Sequence, residues 1–177
     1  MRHLIFDTET TNLVENFERP LTKQPQIIEF FGLVLGDDLE EIETYHSFFK
    51  PTVAIMPIIT KITGLTDEKL ADAPRFADKA IEIRSLVEKC DVAVAHNASY
   101  DRTVVDFELK RAGSRHMQWP RVICTVESTE YIKGFRLSLA ALHLELFGEA
   151  FEGAHRAEHD VRATARCYVE LVRRGEI

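Results

Sequence analysis

Three strand-length apolar runs fall within the first 49 residues, and beyond them short strands alternate with longer helical stretches. That order leaves few folds open. Residues 2–7, 26–35 and 42–49 read as strands that could form a meander, the last two separated by the turn signal Gly36-Asp37-Asp38. Residues 14–25 are polar, contain Pro20 and Pro25, and read as a loop. Pro57 to Ile62 reads as a short helix closed by Gly64, and Thr66 as the cap of another helix start. Pro74 to Lys89 places Phe76, Ala80, Ile83 and Val87 at helical spacing. Asp91–Ala95 reads as a short apolar strand and Val122–Cys124 as a brief one. Ser99–Ala112 (stopped by Gly113), Val126–Ile132, Ser138–Leu146 and Ala157–Arg174 read as helices. Strands paired first and then alternating with helices predict an α/β fold, a mixed sheet with helices packed on it.

A length of 177 residues suits one domain, 1–177, with a full core. The 45% apolar and 29% charged content is that of an ordinary globular protein. No apolar run reaches the roughly 20 residues that cross a bilayer, and the N-terminus lacks a signal-peptide layout, so no membrane association is expected. Cys90, Cys124 and Cys167 are too widely spaced for a metal site and odd in number. A reducing cytoplasm is the simplest location. The net charge of −7 argues against an extended basic clamp on nucleic acid. It leaves room for a small site that holds phosphate through metal ions. Lys110-Arg111, Arg115-His116 and Arg173-Arg174 read as solvated surface.

The chemistry concentrates at the end of the first strand. Asp7 and Glu9 are two residues apart, so they share one face of a strand, with Cα atoms about 7 Å apart. Acids that close raise each other's pKa. A divalent cation removes the conflict, because hard cations take carboxylate oxygens; the alternative is a polar turn at a strand edge. Asp101 stands in the first turn of a helix that leaves a buried strand. Val105 and Leu109 continue its row, so it faces the sheet. An acid there could also complement the helix dipole, although Ser99 would be the better cap. Asp160 lies on the edge of an apolar stripe formed by Ala157, Val161, Thr164, Tyr168 and Leu171. A buried carboxylate needs a partner, which could be a metal or an arginine. His155 and His159 are four apart, a spacing also found in zinc sites. Gly153 puts His155 on the loop that feeds the helix, free to swing over Asp160. His159 points about 100° away from Asp160. His155 is therefore taken as functional and His159 as surface or structural. His3, His46, His116 and His143 have no constellation around them.

Phe6-Asp-Thr-Glu-Thr-Thr-Asn-Leu13, Ala95-His-Asn-Ala-Ser-Tyr-Asp101 and His155 followed five residues later by Asp160 are three motifs in order. In them the chain resembles the DnaQ-like (DEDDh) 3′–5′ exonucleases of the ribonuclease H-like superfamily, a group that includes polymerase III proofreading subunits and exonuclease X. The resemblance spans nearly the whole chain. It implies a five-stranded mixed sheet flanked by helices. It implies that Asp7, Glu9, Asp101 and Asp160 hold two divalent cations, Mg²⁺ with Mn²⁺ able to substitute, and that His155 is the general base. Ile62-Thr-Gly-Leu65 looks like the segment that approaches the terminal nucleotide. Thr10, Leu13, Thr63, His96 and Tyr100 match positions that line the substrate pocket.

Asn12 departs from a common glycine, and asparagine tolerates the left-handed backbone such a turn can use. Tyr100 replaces a common phenylalanine. The 14–25 loop is longer than in compact members. The implied substrate is a nucleic-acid 3′ end, single-stranded DNA favoured and RNA possible. Rival readings are an oligoribonuclease of the same fold and a nuclease-dead, polymerase-associated binding subunit. A polymerase or a second copy of the chain are the partners the family suggests. The chain stops a few residues past its last helix, with no evident polymerase-binding tail.

Overall fold

The computed structural model describes every residue except Glu15, Phe17, Glu152, Ala154 and His155. Strands β1 (His3–Thr10), β2 (Ile27–Leu35) and β3 (Glu41–Phe48) form the expected antiparallel meander. β4 (Val92–Ala95) and β5 (Arg121–Cys124) add in parallel beyond β1, giving a five-stranded mixed sheet in the order β3-β2-β1-β4-β5.

Helices cover both faces. The alternation of β1 separates them: Leu4 and Phe6 point to one side and Ile5 to the other. On the first side they join Phe30 and Val34 beneath α2 (Phe76–Glu88) and α3 (Ala98–Arg111). On the second, Ile5, Phe31, Leu33 and Val94 meet Ala157, Val161, Ala165 and Tyr168 of α7 (Ala157–Arg173). Every residue of β2 is buried as a result. Gly32 in mid-strand follows from this packing, since a Cβ there would come within 3.1 Å of both Leu4 Cδ1 and Leu86 Cδ2. The same parity puts Asp7 and Glu9 on the α7 side and Thr8 on the α3 side.

α1 (Pro57–Thr63) ends as predicted at Gly64, whose φ of 72° is the left-handed C-cap conformation. α6 (Leu139–Phe147) is capped by Ser138, whose side chain accepts from Ala141 N, and packs on α7 through Leu142 and Leu146. Four local expectations change. The helix start at Thr66 is only turns, although Thr66 Oγ1 accepts from Lys69 N at 3.2 Å. Asp67 is drawn instead to Ile55 N. Residues 126–132 split into α4 (Thr125–Ser128) and α5 (Glu130–Lys133), divided at Thr129, whose hydroxyl bonds back to Thr125 O. α3 is entered through Asn97, held left-handed at φ 76°, and not through Ser99, which lies inside the helix. Asn12 is not in the left-handed region; among the described non-glycine residues that region holds Leu39 and Asn97. No helix among the described residues is long and apolar enough to cross a membrane.

Candidate metal-binding active site

The pairing of β4 with β1 ends at Ile5↔Val94, whereas β1 continues to Thr10. Its last residues therefore emerge at the carboxyl end of the parallel strands, where open α/β sheets bind ligands. Asp7 and Glu9 lie on this overhang. The β1–β2 register slips between Glu9 and Thr10, a local irregularity of the kind that re-aims side chains near active sites. α7 crosses the same face and brings Asp160 from its first turn. Carboxylate oxygens of Asp7, Glu9 and Asp160 lie within 4.8 Å of one another.

Asp101, contributed by α3, lies near enough to this cluster to raise the Asp7 pKa. It is 3% exposed and faces the sheet, as its spacing predicts. One oxygen accepts from Thr8 N at 3.0 Å and from Thr8 Oγ1 at 2.7 Å. These two bonds fix the orientation of the carboxyl group.

Four acids converging without a cation are electrostatically strained. Burial, then Asp101, Glu9 and Asp160, hold the Asp7 carboxyl well above the usual carboxylate range. Glu9 is pushed up to about 8 by burial and by Asp160, Glu29 and Asp101, with Arg156 opposing. Asp101 is raised by burial to about 7, although the two Thr8 bonds favour its ionised form. Only oxygen donors meet at this point among the described residues, a donor set that suits a hard divalent cation.

The histidine assigned as base, His155, lies outside the described residues. His159 is exposed, with its ring against the backbone of Gly153.

The expected pocket residues divide. Thr10 Oγ1 and Tyr100 Oη share a hydrogen bond of 2.6 Å, and both reach Asn12 O, at 2.7 and 3.3 Å. Burial pushes the Tyr100 phenol up to about 12. Leu13 is 66% exposed. Thr63 is buried and spends its hydroxyl on Ile59 O and Leu65 N. Both His96 nitrogens are engaged, Nδ1 with Thr125 Oγ1 at 2.9 Å and Nε2 with Leu137 O at 3.1 Å. Burial lowers the His96 pKa to about 4, so the ring is neutral. The polar atoms of Thr63 and His96 are thus bonded within the protein.

Sequence reasoning missed Glu29, His46 and Arg156. Glu29 is wholly buried in β2, directly opposite Glu9. Its partners are His46 and Arg156. A lone glutamate within Ile27-Ile-Glu-Phe-Phe31 is the signal that could have found it, and His46 does have a constellation.

The exonuclease family profile, RNase_T, matches residues 4–168. The chain belongs to this exonuclease family. Its fold is the ribonuclease H-like fold of the DnaQ-like exonucleases. This exonuclease-family chain is 30% identical over 175 residues to DNA polymerase III PolC-type of Staphylococcus haemolyticus, covering 96% of the chain but 11% of that protein. It is 28% identical over 176 residues to the 3′-5′ exonuclease DinG of Staphylococcus epidermidis, covering 97% of the chain and 18% of that protein. It thus spans only a small part of the curated relatives it matches. Among solved structures it is similar to exonuclease X in complex with 5′ overhanging duplex DNA, with TM-score 0.72 and 25% identity over 98% of this chain and 93% of that one. Exonuclease I shares the fold, with TM-score 0.77 and 18% identity over 96% of this chain and 40% of that one.

Proposed function

We propose that this chain removes nucleoside 5′-monophosphates from nucleic-acid 3′ ends, with single-stranded DNA favoured. The observation that carries the reading is the convergence of Asp7, Glu9 and Asp160 at the carboxyl end of β1. Asp101 approaches from α3 and is oriented by Thr8. These four carboxylates would hold two divalent cations, with Mg²⁺ the expected metal and Mn²⁺ able to replace it. Such ions supply Lewis acidity at a phosphodiester and acidify the attacking water.

The chain's own groups do the rest. The ionised carboxylates fix the site's charge. His155 accepts the proton of the attacking water, as an imidazole near pKa 6.5 is suited to do at neutral pH. Exposed Leu13, Met56, Ile58 and Ile62 offer apolar surface to an unstacked terminal base. Met56 is tied to the end of β1, where its N–H bonds to Thr11 O.

The test is incubation with end-labelled single- and double-stranded DNA and RNA and with a dinucleotide, in Mg²⁺, Mn²⁺ or EDTA. Metal-dependent, stepwise release of 5′-mononucleotides from DNA is expected. Endonucleolytic products, or equal turnover in EDTA, would sink the reading. Preference for the dinucleotide would favour the oligoribonuclease alternative. A polymerase partner rests on the PolC-type relatives; co-migration with a replicative polymerase on gel filtration would test it.

His155→Ala is expected to lower kcat about a hundredfold or more, and His159→Ala by less than about threefold. Equal losses would overturn the assignment of the base. Thr8→Val keeps the side-chain shape and removes one of the two donors that orient Asp101. It is expected to weaken Mn²⁺ binding about tenfold to a hundredfold, measured by calorimetry. Unchanged affinity would mean that Asp101 is not a ligand.

A further inference from the structure

We propose that Glu29 is a positioning residue for cleavage, acting through Arg156 to fix the start of α7 and the Asp160 carboxylate presented there. The inference rests on the exonuclease reading and adds a residue outside the acidic quartet.

Glu29 has 0% exposure near the start of β2, opposite Glu9 and facing the same side as the acids. Its Oε1 meets His46 Nε2 at 2.9 Å and Arg156 Nη2 at 3.3 Å, and its Oε2 meets Arg156 Nε at 3.3 Å. The contact is therefore two-pronged, a geometry that fixes a guanidinium in direction as well as place. The same guanidinium lies over the Phe48 ring, 5.7 Å from its centroid.

Arg156 is the N-cap residue of α7, and its carbonyl accepts the first-turn bond from Asp160 N at 3.0 Å. A continuous path thus runs from the start of β2 through a clamped guanidinium to the backbone turn that presents Asp160. His155 directly precedes Arg156 in the chain. Stability alone is a weak reason for such an arrangement, since a carboxylate taken wholly out of water pays a desolvation cost that a half-exposed guanidinium only partly offsets. Orientation of a metal-binding carboxylate by groups behind it is a recurrent use.

The experiment compares Glu29→Gln, Arg156→Lys and the double variant with the wild-type chain. The glutamine substitution keeps nearly the same shape and loses the charge; the lysine substitution keeps the charge and loses the fork. Each single change is expected to lower kcat for 5′-mononucleotide release about 30- to 100-fold, with KM within about threefold. The double variant is expected to be no worse than the weaker single, because both break one link. Arg162→Ala, which removes exposed pairs with Glu158 and Glu41, is expected to stay within about twofold. Amide exchange in the first turn of α7, including Asp160, is expected to quicken in both single variants.

Wild-type kcat in both variants, multiplying losses in the double, or unchanged exchange would overturn the proposal. If the wild-type chain releases no mononucleotides, the exonuclease reading falls instead. The exchange arm then decides the clamp alone, quickened exchange upholding it and unchanged exchange overturning it.

Discussion

Asp7→Asn is expected to abolish metal-dependent cleavage while making the metal-free protein more stable. Both effects follow from one placement. Asp7 is central in the acidic group, held far above the usual carboxylate range by burial and then by Asp101, Glu9 and Asp160. A pair of bound ions contributes several kcal/mol to the transition state. At 1.36 kcal/mol per factor of ten, the loss should reach about a thousandfold or more. Asparagine fills nearly the same volume without the charge, so repulsion with Glu9 and Asp160 falls. The melting temperature in EDTA at pH 8 should rise by about 2–4 °C per kcal/mol of repulsion removed. Retained cleavage, or a lower melting temperature in EDTA, would show that Asp7 is not the strained centre of the site.

The second large effect is a cation-induced rise in melting temperature that is strong at pH 8 and weak at pH 5. In the folded, metal-free chain Glu9 titrates near 8 against an ordinary value of 4.5, and Asp101 near 7 against 3.8. These folded-state values are raised. Between about pH 4 and pH 8 the folded protein therefore keeps protons that the unfolded chain releases. Metal-free stability is fully present below about pH 4 and is lost as pH rises through about 8. A divalent cation takes the place of those protons and binds best where they have left. At a hundred times the dissociation constant, binding adds about 2.7 kcal/mol, or about 5–10 °C for a chain of this size. Calorimetric scans with and without Mg²⁺ at the two pH values measure it. An equal shift at both would separate metal binding from these carboxylates.

Much of this site was legible because it is built from local periodicity. Asp7 and Glu9 share a face by strand alternation, and Asp101 faces inward by its row with Val105 and Leu109. Asp160 sits at the edge of the stripe that α7 buries, and Asp7, Glu9 and Asp160 do come together. The meander and the later parallel strands followed from the order of apolar runs, and the five-stranded sheet from the family resemblance.

What stayed hidden depends on register and tertiary partners. Glu29 reads as one polar residue inside an apolar strand until the β1–β2 pairing sets it opposite Glu9. His46 becomes meaningful only across the β2–β3 ladder, where its ring reaches Glu29. Arg156 lies 127 positions from the carboxylate it holds, a separation that no local pattern encodes. Thr66 carries a sound cap signal, yet a tertiary bond from Ile55 N to Asp67 competes with helix formation there. His96 and Thr63 sit in the expected motifs, but their polar atoms are satisfied by the protein itself.

The most direct measurement is anomalous diffraction from crystals soaked in manganese. Two peaks enclosed by the carboxylates of Asp7, Glu9, Asp101 and Asp160 are predicted, both lost in Asp7→Asn. Saturating manganese that leaves this cleft without a peak, or binds only at other residues, would contradict the account.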